Sequence, residues 1–324
     1  MKIAVLDDWQ GVAQANGDWD KLHAVGELVF FADAFASDDE AVAKLAGFDI
    51  VLAMRERTQF NGALVRRLKG VKMLGTTSAR TLSLDMAACT EMGILVTNTE
   101  GGPGSASTAE LALGLMLAGL RAIPRGDANM RAGKFQQGVP VGFACIGKTL
   151  GLIGIGRIGS LMGKYCTALG MKVQAWSQNL TEDAATAAGA VKVDKDTLMA
   201  TSDVISIHYV LSDRSRGMVG AADIARMKPG ALLVNTSRGP IVDEAAMVAA
   251  LQGGKIKAAL DVFDKEPLPV DHPLRSAPNT VLMPHLGYGV QETWDAMYPQ
   301  HIENVLAFLA GKPIRVANPD VLRK

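Results

Sequence analysis

Short apolar runs alternate with stretches of helical spacing along almost the whole chain. Residues 2–6, 50–54, 72–76 and 95–98 read as strands, and so do 149–153, 171–176, 204–208, 232–235, 257–262 and 280–283. Helical spacing fills the intervals, as over 221–227 and 243–251. This alternation predicts an α/β fold with parallel sheets covered by helices on both faces. The most apolar stretch, Leu111–Leu120, follows Ser105-Ala-Ser-Thr-Ala-Glu110, a helix start with an acid in its first turn. It is too short to span a bilayer, so a buried helix between domains is expected.

One strand–helix–strand unit carries a chemical signal. The run 149–153 leads into Gly154-Ile-Gly156-Arg-Ile-Gly159, and Ile158, Leu161, Met162, Tyr165, Cys166 and Leu169 then recur at helical spacing up to Gly170. GxGxxG between a strand and a helix is the turn that holds a dinucleotide. Gly154 permits the tight turn, Gly156 lets a pyrophosphate approach the backbone, and Gly159 lets the helix pack close. The helix N-terminus offers free N–H groups and a positive dipole end to the phosphates.

The chain has 324 residues, enough for about two domains. The glycine turn falls near its middle, so a separate α/β domain precedes the nucleotide domain. The C-terminal helical stretch, 291–310, is the element expected to cross back and close it. The expected partition is 1–98 plus 290–324 for the discontinuous first domain and 99–289 for the nucleotide domain. Charge balances at 33 basic and 33 acidic residues, so nothing favours nucleic acid or an anionic membrane as partner. The start, MKIAVLDDWQ, reads as a strand followed by charge, not as a leader. Cys89, Cys145 and Cys166 have no metal-like spacing and read as small core residues in a reducing, cytoplasmic compartment; no metal is expected.

Three polar residues fall at the ends of strands in the second half: Arg238, Glu266 and His285. Carboxyl ends of strands are where open α/β sheets bind ligands. A carboxylate beside an imidazole orients it and favours its charged form. An arginine can grip a carboxylate with two parallel hydrogen bonds. His23 and His301 fit helix surfaces and His272 an exposed turn.

Asn235-Thr-Ser-Arg-Gly-Pro240, Ala259-Leu-Asp-Val-Phe-Asp-Lys-Glu-Pro267 and Pro284-His-Leu-Gly287, placed after the glycine turn, resemble the D-isomer-specific 2-hydroxyacid dehydrogenases. The resemblance is firm from about Val71 to His285. It implies two Rossmann-like or flavodoxin-like domains, NAD or NADP as cofactor, a small 2-oxo or 2-hydroxy acid as substrate, and a homodimer built on the nucleotide domains. It further implies that Arg238 binds the substrate carboxylate, that His285 exchanges a proton with the C2 oxygen, and that Glu266 pairs with His285. Gly154, Gly156, Arg157, Ile158 and Gly159, with Thr108, Ser177, His208, Thr236 and Asp261, are the implied cofactor contacts. Asp261 would hold the nicotinamide carboxamide, while His208 stays open between a structural role and a cofactor contact. Ser78, Ala79 and Arg80, in the loop Thr77-Ser-Ala-Arg-Thr81, join Arg238 and Tyr288 as substrate contacts.

The chain departs from that pattern at several points. Ser177 stands where an NAD site places the acid that binds the ribose 2′-OH, and no Arg or Lys follows at once, so NADP is allowed and not demanded. Arg80 and Leu82 replace a usual glycine and aspartate; Tyr209 and Val210 replace a small residue and proline; Tyr288 replaces a second glycine. These changes bear on the substrate, not on the reaction. The chain ends soon after the crossing helix, so no regulatory domain is expected. A second reading is a non-catalytic, dinucleotide-sensing member that acts as a regulatory partner; the absence of a strongly charged interaction segment speaks against it. A methyltransferase reading leaves Arg238, Glu266 and His285 unexplained.

Overall fold

The computed structural model describes residues 1–77 and 83–323. The chain forms two compact units, Met1–Pro103 with Gly289–Lys324, and Gly104–Tyr288.

The first unit runs through β1 (Lys2–Val5), α1 (Asp20–His23), β2 (Glu27–Phe30), α2 (Asp38–Leu45), β3 (Ile50–Ala53), α3 (Gly62–Arg67), β4 (Met73–Thr76), α4 (Met86–Glu91) and β5 (Leu95–Asn98). The strands form one parallel sheet in the order β2-β1-β3-β4-β5. β3 and β4 are buried at every position, which is why neither alternates apolar with polar residues. β2 lies at the edge, half covered, and its weaker pattern hid it from the sequence reading.

The helix Gln291–Leu309 completes this unit. It buries Trp294, Tyr298, His301, Ile302 and Val305. His301, expected on a helix surface, is therefore a core residue. Its ring lies over Gly75 of β4, where a Cβ would fall 2.8 Å from Nδ1. Burial pushes its pKa down to about 3, so the ring is neutral. The same helix explains why the first boundary falls at 103 and not 98. The Glu100 N–H donates to Gln300 Oε1 at 2.9 Å, and a Cβ on Gly102 would fall 2.7 Å from the Glu292 carbonyl oxygen. Residues 99–103 are thus fastened to the first unit.

The second unit holds α5 (Ser105–Arg121), α6 (Ile123–Arg131), β6 (Thr149–Ile153), α7 (Arg157–Ala168), β7 (Lys172–Trp176), α8 (Glu182–Ala187), β8 (Val191–Lys192), α9 (Lys195–Thr201), β9 (Val204–Ile207), α10 (Ala221–Arg226), β10 (Leu232–Asn235), α11 (Glu244–Gln252), β11 (Lys257–Leu260) and β12 (Thr280–Leu282). Its parallel sheet has the order β12-β11-β10-β9-β6-β7-β8. Chain order reverses between β6 and β9, the switch point at which such sheets bind ligands. A core lies on each face, one around Leu152, Met162, Cys166 and Val234, the other around Ile153, Ile205, Leu233 and Leu251. α5 packs on α7, β10 and β11 and contributes Ala112, Leu115, Met116 and Leu120 to the core of this unit. Cys166 is fully buried on α7, and its thiol is pushed up to about 12 by desolvation. Cys145 is only partly buried. Among the described residues no single helix is long and apolar enough to cross a membrane.

Candidate active site

The glycine turn closes at the carboxyl end of β6. Gly154 has φ +90°, and a Cβ there would fall 2.4 Å from the His208 carbonyl oxygen. A Cβ on Gly159 would fall 2.3 Å from the Gly154 carbonyl oxygen. Both positions exclude side chains, because the turn is pressed between α7 and the segment after β9. Gly156 differs: nothing lies within 4 Å of where its Cβ would be. It caps α7, no side chain occupies the helix N-terminus, and Gly156 and Arg157 are exposed. A backbone cradle at a helix start, open on one side, fits the pyrophosphate of a dinucleotide. The buried hydroxyl of Thr236 has no hydrogen-bond partner among the described residues, as suits a group that waits for a ligand.

Ser177 follows β7 directly, beside the turn, since the Gly154 N–H donates to the Trp176 carbonyl at 2.9 Å. No Arg or Lys follows Ser177 at once in the chain. Lys195, at the start of α9, brings its Nζ 5.7 Å from the Trp176 ring, but it is paired with Asp223 at 2.8 Å. His208 Nε2 lies 2.9 Å from Ser206 Oγ, and burial pushes the imidazole down to about 4. It is a neutral ring beside the glycine turn.

Across the sheet, the Asn235 side chain shapes the turn after β10. Its Oδ1 accepts from the Ser237 N–H at 3.0 Å, and its Nδ2 donates to the Arg238 carbonyl at 3.0 Å. The Ser237 hydroxyl donates to the Tyr209 carbonyl. Gly239 is then jammed on the next loop: a Cβ would fall 2.1 Å from the Phe263 carbonyl carbon. Arg238 is thereby set against the segment that carries Glu266. Glu266 Oε1 accepts the Phe263 N–H at 2.9 Å, and Oε2 accepts from His285 Nδ1 at 2.6 Å. That bond leaves Nε2 as the ring nitrogen for exchange with a ligand.

His285 has φ +54°, a conformation that costs a non-glycine residue energy and persists where the surroundings impose it. The imposing group is Asp261. Its buried carboxylate accepts the N–H groups of Leu286 at 2.7 Å and Gly287 at 2.9 Å. Desolvation raises the Asp261 pKa and the two amide bonds counter it. The Thr108 hydroxyl lies 3.0 Å from the Gly287 carbonyl. Tyr288 is buried, edge-on to the His285 ring with centroids 6.1 Å apart. Asp261, Thr108 and Tyr288, expected at cofactor or substrate, thus all hold the loop of His285. Ser78, Ala79 and Arg80 lie outside the described residues. His272, expected in an exposed turn, is largely covered and pairs with Glu244 at 3.0 Å.

Residues 113–287 match the model of the D-isomer specific 2-hydroxyacid dehydrogenase NAD binding domain. The chain is 36% identical over 282 residues to a D-3-phosphoglycerate dehydrogenase of Archaeoglobus fulgidus, covering 87% of this chain and 53% of that one. It is 31% identical over 326 residues to a hydroxypyruvate reductase of Blautia hydrogenotrophica, covering 98% of this chain and all of the other. A solved phosphoglycerate oxidoreductase from Vibrio cholerae o395 superposes with a TM-score of 0.90 at 32% identity, over 96% of this chain and 99% of that one. The chain spans about half the length of the phosphoglycerate dehydrogenases that it matches. It belongs to the D-isomer specific 2-hydroxyacid dehydrogenase family, and its second unit is that family's NAD(P)-binding domain.

Proposed function

We propose that this chain reduces a small 2-oxo acid to the D-2-hydroxy acid, or runs the reverse reaction. The observation that carries the reading is the 2.6 Å bond from His285 Nδ1 to Glu266 at the carboxyl edge of a dinucleotide-binding sheet. Bound NAD(P)H supplies the hydride. As negative charge grows on the C2 oxygen, His285 Nε2 delivers the proton. Glu266 holds the ring and balances its charge while it is protonated. Arg238 grips the substrate carboxylate and polarises the carbonyl, its backbone fixed by Asn235 and Gly239. Names of relatives point to glyoxylate, hydroxypyruvate and D-3-phosphoglycerate as substrates to try.

Ser177 brings no carboxylate against a 2′-phosphate, so NADPH is accepted at least as well as NADH. Buried, unpaired thiols at Cys89 and Cys166 are in keeping with a reducing, cytoplasmic setting. The chain further forms a homodimer through its second unit. Met130, Phe135, Val141 and Ile146 are between 60% and 89% exposed along one stretch of this unit, an apolar run of the kind a second copy covers.

Initial rates with NADH and NADPH against a panel of 2-oxo acids test the activity. Turnover of any of them supports it. Tight cofactor binding with no turnover across the panel overturns it in favour of a sensing role.

A further inference from the structure

The second unit holds another histidine–carboxylate pair. His272 Nε2 donates to Glu244 Oε1 at 3.0 Å, while His272 Nδ1 accepts the Leu274 N–H at 3.3 Å. The two bonds fix one tautomer. The other oxygen of Glu244 lies 3.4 Å from the Asp264 N–H. Glu244 is the first residue of α11, one short turn beyond Arg238, so a single carboxylate ties three pieces of chain together.

Those pieces are the ones that carry the chemistry. Phe263 and Asp264 open the loop on which Glu266 sits, and Glu266 takes its own aim from the Phe263 amide. The far part of the loop is stiffened by Arg275, which donates to the carbonyls of Pro269 and Leu268 at 2.7 Å each. His272 anchors that part to α11. Gly239 presses on Phe263 from the Arg238 side. The loop is therefore held at both ends, by one contact that begins at Arg238 and by one that ends at His272.

We infer that His272 and Glu244 are positioning residues that set the aim of Glu266 on His285 and its spacing from Arg238. Their own hydrogen bonds run to each other and to the Asp264 and Leu274 amides. The kinetic consequence rests on His285 being the proton donor, but the structural consequence does not. Without the anchor, Asp264 and Phe263 shift, Glu266 turns, and His285 loses the acceptor that keeps its proton on Nδ1.

The test is made on the full chain with His272→Ala, His272→Gln and Glu244→Gln. The first readout is the tautomer of the His285 ring, from histidine ring resonances in nitrogen-correlated NMR without ligand, assigned by their loss in His285→Gln. The wild type shows a single Nδ1–H form and His272→Ala a mixture, with partial return in His272→Gln, whose amide can still donate to Glu244. The second readout is steady-state kinetics: kcat falls by about ten- to a hundredfold, the cost of a small misplacement, while KM for the cofactor is unchanged. If His272→Ala does not fold, judged by near-ultraviolet dichroism, Glu244→Gln decides by the same readouts. A single Nδ1–H form retained in a folded variant overturns the inference, whatever the activity. A mixed tautomer in a protein that reduces no oxo acid leaves the positioning role standing and removes only the reductase reading.

Discussion

His285 Nδ1 and Glu266 Oε2 stand 2.6 Å apart, and the second oxygen of Glu266 is already occupied by the Phe263 amide. The carboxylate therefore has one direction in which to point. His285→Ala is expected to lower turnover by about 10²–10⁴-fold, the usual worth of a placed acid or base. Cofactor affinity, read by quenching of protein fluorescence, stays within a small factor. A fully active variant removes His285 from the chemistry.

Cofactor choice is expected to follow Ser177. Ser177→Asp supplies an acceptor for the ribose 2′-OH and repels a 2′-phosphate. The ratio of kcat/KM for NADH over NADPH should rise. Should the wild type strongly prefer NADH and the variant leave that ratio alone, some other group sets the preference.

Gly239 tests the clamp between Arg238 and the Glu266 loop. A methyl group in place of hydrogen meets backbone atoms that cannot swing aside. Gly239→Ala should cost at least about 1–3 kcal/mol, as overpacking does, seen as a lower urea midpoint. An unchanged midpoint with full activity means that the two segments have room to part.

His301 yields a prediction with a sign. Its folded-state pKa, about 3, lies below the ordinary 6.5, so the unfolded chain takes up a proton first as pH falls. Its contribution is intact above about pH 6.5 and is lost at about 1.4 kcal/mol per pH unit on acidification. His301→Leu removes that loss, together with two buried ring nitrogens that have no hydrogen-bond partner among the described residues. Urea unfolding at pH 7.5, 6 and 5 should show the variant gaining on the wild type step by step. Parallel curves would mean that the ring already titrates when folded.

The exposed apolar run of the second unit gives the last prediction. Val141→Asp combined with Ile146→Asp should convert a dimer to a monomer in sedimentation. No change in mass would place the contact elsewhere.

The parts of the structure legible in the sequence are those fixed locally. The glycine turn announces itself because its backbone geometry admits few other residues, and the strand ends that carry Arg238, Glu266 and His285 follow from apolar runs. His301 was misplaced even though its register was readable. Trp294, Met297, Tyr298, Ile302 and Val305 mark an apolar stripe that includes position 301, but a histidine by its type is only intermediate between core and surface. His272 could not have been placed, since its partner Glu244 lies 28 residues away and meets it only in the folded unit. The work of Asp261 was hidden for the same reason. Its hydrogen bonds run to backbone amides, which carry no signature in side-chain identity.

The strand order β12-β11-β10-β9-β6-β7-β8 has a consequence for how such a protein can change. Ser177 closes β7, whereas Glu266 and His285 follow β11 and β12. At about 4.8 Å per strand, the end of β7 lies roughly 19 Å from that of β11 and roughly 24 Å from that of β12. Substitutions that far apart generally act independently. If Ser177 sets coenzyme preference and His285 carries the proton, as proposed, the two properties are expected to vary separately. A lineage, or an engineer, can exchange the reductant at one margin of the sheet and leave the acid at the other untouched.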